Sequence, residues 1–127
     1  MSIYPTLRYT DARAAITFLT SALGFREQHV STGDDGVVQH AELSFGDPAG
    51  VVMIGTRSAE PGPWDTGRAV LYLVVDDADA AHDKAVAAGA EVTMALTDQP
   101  YGSREFAVAD PEGNAWTLGT YRPSVQP

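Results

Sequence analysis

Asp110-Pro111-Glu112-Gly113-Asn114-Ala115-Trp116 is a tight turn feeding a strand, and the architecture can be traced outward from it. Proline presets φ for the turn, and Gly-Asn supplies residues that tolerate its remaining angles. On either side lie β-forming runs, about Arg104–Ala109 before it and Ala115–Tyr121 after it. Upstream of these, Ala90–Leu96 reads as another strand, and Gly89 marks the end of a helix. That helix carries Ala81, Ala85 and Ala88 toward a core, and Asp76-Asp77 supply its N-terminal cap. An apolar strand at Ala69–Val75 precedes it.

Further upstream, the segment 58–67 contains Pro61-Gly62-Pro63 and holds no regular element. Before it the same order appears. Ile3 to Tyr9 reads as a strand, and Thr10-Asp11 as a cap. Ala15, Ile16, Phe18, Leu19, Ala22 and Leu23 recur at helical spacing, and Gly24 is the stop. Strands follow at about Phe25–Ser31, Val37–Phe45 and Val51–Gly55, separated by glycine- and aspartate-rich turns. Leu7-Arg8-Tyr9-Thr10-Asp11 lies over Leu73-Val74-Val75-Asp76-Asp77, and Ala22-Leu23-Gly24-Phe25 over Ala87-Ala88-Gly89-Ala90, an offset of about 65 residues. The expectation is α+β: two βαβββ modules in one domain over 1–127, module 1 at about 1–57 and module 2 at about 68–122. One helix and four strands bury too little to stand alone, so the modules must share a core.

Composition narrows the function classes. The chain has 127 residues, 44% of them hydrophobic, and a chain of this size buries about two-thirds of its extended surface. Eight basic against seventeen acidic side chains give −9, with no local basic stripe, so a nucleic-acid partner is not expected. No cysteine is present, which excludes disulfides, thiolate metal sites and thiol nucleophiles. No apolar run approaches a membrane span, and the N-terminus lacks the pattern of a signal peptide. A cytoplasmic protein that contacts neither membrane nor nucleic acid is the expectation.

The capped strand–helix units, the second-half Val75-Asp76-Asp77-Ala78-Asp79-Ala80-Ala81 and the Asp-Pro-Glu-Gly-Asn turn together resemble the glyoxalase, bleomycin-resistance and extradiol-dioxygenase superfamily. The resemblance covers nearly the whole chain. It implies paired βαβββ modules curling around a cup, usually in a homodimer. In the enzymes of that superfamily a divalent metal is held by His or Glu from four strands. The matching places fall at or near Tyr4, Met53, Val70 and Thr117, none of them a His or a carboxylate. Valine and methionine offer no hard donor, and tyrosine and threonine are poor ligands for these metals. No metal and no cofactor are therefore expected.

Several residues remain as candidates for the cup. His40 and Glu42 alternate with apolar neighbours and share a strand face, as an acid–base pair or as polar ligand contacts. A solvated strand face is the bland alternative. His29 is a weaker candidate, and His82 is expected on a solvated helix face. Trp64, in the linker, suits either a wall over a cavity mouth or a seam between subunits. Trp116 alternates with Thr117 and is expected in the core. Tyr72 shares a face with Val70, and Tyr4 and Tyr101 add further aromatic surface. Arg104 would either orient a ligand or pair with Glu105 or another acidic neighbour. The Asp76–Asp79 carboxylates are explained by helix capping.

The leading expectation is a metal-free binding protein resembling bleomycin-resistance proteins, which traps a planar or amphipathic compound, such as an antibiotic, at a dimer. Its ligand contacts would be Tyr4, His40, Glu42, Met53, Trp64, Tyr72, Tyr101, Arg104 and Thr117, and the acidic charge favours a cationic ligand. The competing expectation is a lyase or isomerase using His40 and Glu42, or a variant metal site built on them. A protein-interaction domain with a vestigial cup is the third.

Overall fold

The computed structural model describes residues 3–65 and 67–126. Thr66 of the expected linker, Met1 and Ser2 of the expected first module, and Pro127 lie outside the described residues. The βαβββ order appears twice. The first module is β1 (Thr6–Tyr9), α1 (Ala12–Ala22), β2 (Arg26–Thr32), β3 (Val38–Phe45) and β4 (Gly50–Thr56). The second is β5 (Val70–Val74), α2 (Ala78–Ala87), β6 (Glu91–Asp98), β7 (Arg104–Ala109) and β8 (Ala115–Gly119). The strands form two four-stranded mixed sheets, ordered β1-β4-β3-β2 and β5-β8-β7-β6. In each, the first strand runs parallel to the last, and the remaining pairs are antiparallel.

Local chemistry sets these boundaries. Asp11 Oδ1 accepts the Ala14 N–H and Asp77 Oδ1 the Ala80 N–H, both at 3.0 Å, so each helix starts at its aspartate. Gly24 and Gly89 leave the helices at φ +84° and +86°, a region that costs a side-chain-bearing residue about 1 kcal/mol or more. Most strand ends lie within one or two residues of the sequence expectation, β6 for instance running to Asp98 instead of Leu96, and two of the differences have a visible cause. The opening strand starts at Thr6 rather than Ile3, because Pro5 has no N–H to enter the ladder, although its carbonyl still accepts from Met53 N at 2.9 Å. The last strand stops at Gly119 rather than Tyr121, whose N–H turns to side-chain hydroxyls instead of a neighbouring strand.

One core joins the modules. Leu7, Tyr9, Leu43, Val52 and Ile54 from the first sheet, Leu19 from α1, and Leu73, Phe106, Val108, Trp116 and Leu118 from the second sheet belong to a single buried cluster. Each such side chain contributes roughly 1.5–3 kcal/mol by leaving water. Trp116 is fully buried, as the alternation with Thr117 requires, and its ring meets Phe25 edge-on at 5.6 Å. A polar clasp reinforces the joint. Asp110 accepts from the Tyr9 hydroxyl at 2.6 Å and from Trp116 Nε1 at 3.0 Å, while Glu112 accepts from the Thr10 and Asp11 N–H groups. The turn of the second module therefore grips the helix start of the first.

His82 departs from the solvated position expected of it. Its ring packs edge-on against Phe106 at 5.3 Å, because α2 carries alanines at its contact face and leaves room there.

Candidate functional site

Both sheets contribute their helix-side faces to the shared core, which leaves the opposite face of each open. Strand alternation decides which side chains stand on those open faces. On the first sheet they are His40 and Glu42 from β3, Met53 from β4 and Arg8 from β1. Glu42 sits opposite Met53 on one side and His29 on the other, and Met53 opposite Thr6. His40 Nε2 lies 2.8 Å from Glu42 Oε2, and the His29 and His40 rings are 6.3 Å apart. If that nitrogen carries the proton, Glu42 fixes the tautomer and leaves Nδ1 as an acceptor. Arg8 leans to the rim, donating to the Thr56 carbonyl at 3.4 Å with Asp65 at 4.0 Å.

The open face of the second sheet is built differently. Val70, 80% exposed, Tyr72 and Thr117 stand side by side on β5 and β8. Beside them Glu105 lies just under the surface, with 4% of its area exposed, roofed by hydroxyls. Tyr101 donates to its Oε1 at 2.7 Å, and Tyr72 and Ser103 donate to its Oε2 at 2.9 Å each. The Tyr121 N–H is shared by the Tyr72 and Ser103 oxygens at 3.1 Å. Each of the three hydroxyls thus gives its proton to the carboxylate, and two of them share the N–H of Tyr121, which lies beyond the end of β8. Burial acts to raise the Glu105 pKa, but the hydrogen bonds from Tyr101, Tyr72 and Ser103 outweigh it and hold it below the ordinary value. The reciprocal effect pushes Tyr101 up to about 12, chiefly because its proton is bonded to Glu105. Burial, with the Glu105 bond, also raises Tyr72.

The nine expected contacts therefore divide. His40, Glu42 and Met53 lie on one open face, and Tyr72, Tyr101 and Thr117 on or beside the other. Tyr4 is half exposed ahead of β1, and Trp64 is 71% exposed in the linker. Arg104 points away from Glu105. Its guanidinium holds Asp79 of α2 at 3.1 Å and Asp98 of β6 at 3.1 Å, so the acidic-neighbour expectation describes it, with those partners instead of Glu105. An open groove of about 650 Å³ runs between the modules past Phe25, Phe45, Val52, Leu71 and Leu73, and of the nine it touches only Tyr72.

Glu105, Ser103 and Tyr121 are absent from the sequence-based set. Their signal was a carboxylate, Glu105, at the head of the apolar run Phe106–Ala109; its place opposite Gly119 comes from the strand register. The metal of the superfamily's enzymes does not fit the residues present. Met53, Val70 and Thr117, the residues expected at its places, lie on β4, β5 and β8 and offer no His or carboxylate, and no group of three or more His, Asp or Glu among the described residues is placed to hold an ion.

Fold and sequence together define the class. The chain belongs to the Glyoxalase/Bleomycin resistance protein/Dioxygenase superfamily, whose model matches residues 3–118. It is 35% identical to the uncharacterized protein Rv0887c of Mycobacterium tuberculosis over 124 residues, covering 93% of this chain and 73% of that one. Putative glyoxylase CFP32 of Mycobacterium bovis is 33% identical over 112 residues, 86% of this chain but 41% of that protein's length. Among solved structures, TioX from Micromonospora sp. ML1 superposes with a TM-score of 0.77 at 28% identity, covering 96% of this chain and 99% of that one.

Proposed function

We propose that the chain is a small-molecule binding protein of the bleomycin-resistance type, in which two copies close cups that neither closes alone. The observation that carries this reading is the packing of both helix-side faces into one core. It leaves one open face polar, with His40 and Glu42, and the other aromatic and apolar, with Tyr72, Tyr101 and Val70. Facing one another across a homodimer, these would give a ligand aromatic walls and a few polar contacts to fix its orientation. Sequestration of a planar or amphipathic compound, such as an antibiotic, needs no catalytic residue. Residence in the cytoplasm, without membrane or nucleic-acid contact, belongs to the same reading. It is supported by the charge of −9 and by the lack, among the described residues, of any helix long and apolar enough to cross a membrane.

Native mass spectrometry of freshly purified protein tests it. A dimer retaining a small organic mass is the expected result. A monomer retaining nothing would overturn it. The 2.8 Å contact between His40 and Glu42 favours the second reading, a lyase or isomerase that uses them as acid and base. His40→Ala separates the two: turnover would vanish in an enzyme, whereas a binder would only lose affinity.

A further inference from the structure

We infer that the open face of the second sheet carries a subsite for an alkylated ammonium group, formed by Tyr72, Tyr101 and Tyr121 above the Glu105 carboxylate. The inference rests on the binding reading and names the ligand chemistry of one half of the cup.

Charge is the first argument. Glu105 is shielded from water, yet none of the ion pairs among the described residues includes it. Its neighbour Arg104 is turned to the other side of the strand and held by Asp79 and Asp98. Hydroxyl dipoles stabilise the carboxylate without cancelling its charge, and the surrounding chain is itself acidic. A cation arriving at this surface meets an unbalanced negative field.

Hydrogen-bonding capacity then selects the kind of cation. A carboxylate offers about four lone-pair sites. Tyr101, Tyr72 and Ser103 take three, and Gln99 adds a further stabilising hydrogen bond. A primary ammonium or guanidinium would bring N–H groups with no carboxylate lone pair left to receive them, and would trade its water shell for phenol oxygens alone. An ammonium whose hydrogens are replaced by alkyl groups has no such need and gains from charge and contact alone.

Aromatic surface supplies that contact. The Tyr101 and Tyr121 rings meet at 82° with centroids 5.8 Å apart, and they are 59% and 46% exposed. Tyr72 stands beside them, its hydroxyl 3.1 Å from the Tyr121 nitrogen. Phenols that donate to an anion carry more electron density in the ring, which strengthens the attraction of their faces for a cation. The arrangement depends on Gly119: a Cβ there would strike the Tyr72 hydroxyl and the Glu105 Cγ, so the absent side chain makes room for the carboxylate beneath the rings.

Titration with choline, with ethanolamine and with dimethylbutanol, in which carbon replaces choline's quaternary nitrogen, tests the inference through the tyrosine ring resonances. Choline should bind about tenfold more tightly than either comparison compound. Glu105→Gln and Tyr101→Leu should each cost choline about tenfold and leave dimethylbutanol unchanged. Should the Gln variant fail to fold, the exposed Tyr101 carries the test. Equal binding of dimethylbutanol and choline, no binding of choline, or choline affinity indifferent to Tyr101→Leu overturns the subsite. A dimer that retains a neutral organic molecule while ignoring choline overturns the subsite and leaves the cup standing; a monomer that still prefers choline does the reverse.

Discussion

Asp110 concentrates more of the fold than any neighbouring side chain. Its two oxygens accept from the Tyr9 hydroxyl, Trp116 Nε1, Asn114 Nδ2 and the backbone N–H groups of Glu112 and Asn114, all away from solvent or nearly so. Burial, then the bond to Asp110, raises the Tyr9 pKa, so that phenol remains a donor throughout. Asp110→Ala would orphan several buried donors together and should lower the unfolding free energy by about 3–5 kcal/mol in urea denaturation. Tyr9→Phe removes one donor and leaves the others, so about 1–2 kcal/mol is expected. Tyr101 offers a test of sign. Its folded pKa of about 12 lies above the ordinary 10.0, so the folded chain holds that proton more tightly than the unfolded one. The stability gained is complete below about pH 10 and is lost as the pH climbs through about 12. Glu105, held below its ordinary 4.5, gives the opposite limb: its contribution is present above that value and is lost as the pH falls through the lower folded pKa. Phenolate absorbance should therefore show a tyrosine ionising near 12, and Glu105→Gln should bring it back toward 10.0.

Elements were legible wherever their punctuation is local. Asp11 and Asp77 announce the helix starts, and Gly24 and Gly89 the stops, because capping and left-handed backbone are decided within a few residues. The end of the last strand depends on what lies across space, as Tyr121 shows by bonding hydroxyls contributed by Tyr72 and Ser103, 49 and 18 residues away. Glu105 was opaque for the same reason. Ser103 and Tyr101 reach it from two and four residues away, but Tyr72 comes from β5, 33 residues distant, and only the β5-β8-β7 register brings that hydroxyl to the other two. Gly119 is where that register can be tested. It takes no unusual φ, so alanine there meets no backbone penalty and acts only through its methyl group, which overlaps Tyr72 and Glu105. Gly119→Ala should cost about 1–3 kcal/mol of stability by overpacking and should shift the tyrosine ring resonances at 72, 101 and 121, while α1 and the first sheet keep their spectra.

At the scale of the molecule, alternation along each strand assigns side chains to a face, but nothing in one chain states what stands opposite that face. This is why His40, Glu42, Met53, Tyr72 and Thr117 could be placed on open faces from sequence, whereas their division between two separate faces could not. The same limit points to the surface most in need of a partner. β5 is an edge strand of its sheet, and β1 is an edge of the other. Val70 leaves four-fifths of its area in water at the start of β5, next to the half-exposed Tyr72. An apolar edge left bare invites pairing with another chain, and charge is the usual guard against it. Here no charge interrupts Val70-Leu71-Tyr72-Leu73-Val74. If two copies close the cups, Val70→Lys places an ammonium group in that seam and should convert the dimer to a monomer by size-exclusion chromatography with light scattering. Because Val70 lies outside the buried cluster, the circular dichroism of the monomer should be nearly unchanged, while its thermal midpoint should fall by what association contributed to the dimer. Retention of the organic ligand should fall with the dimer. A Lys variant that stays dimeric would move the seam away from β5, and one that is monomeric yet still holds its ligand would place binding within a single chain, where the groove between Phe45 and Leu73 is the site to examine next.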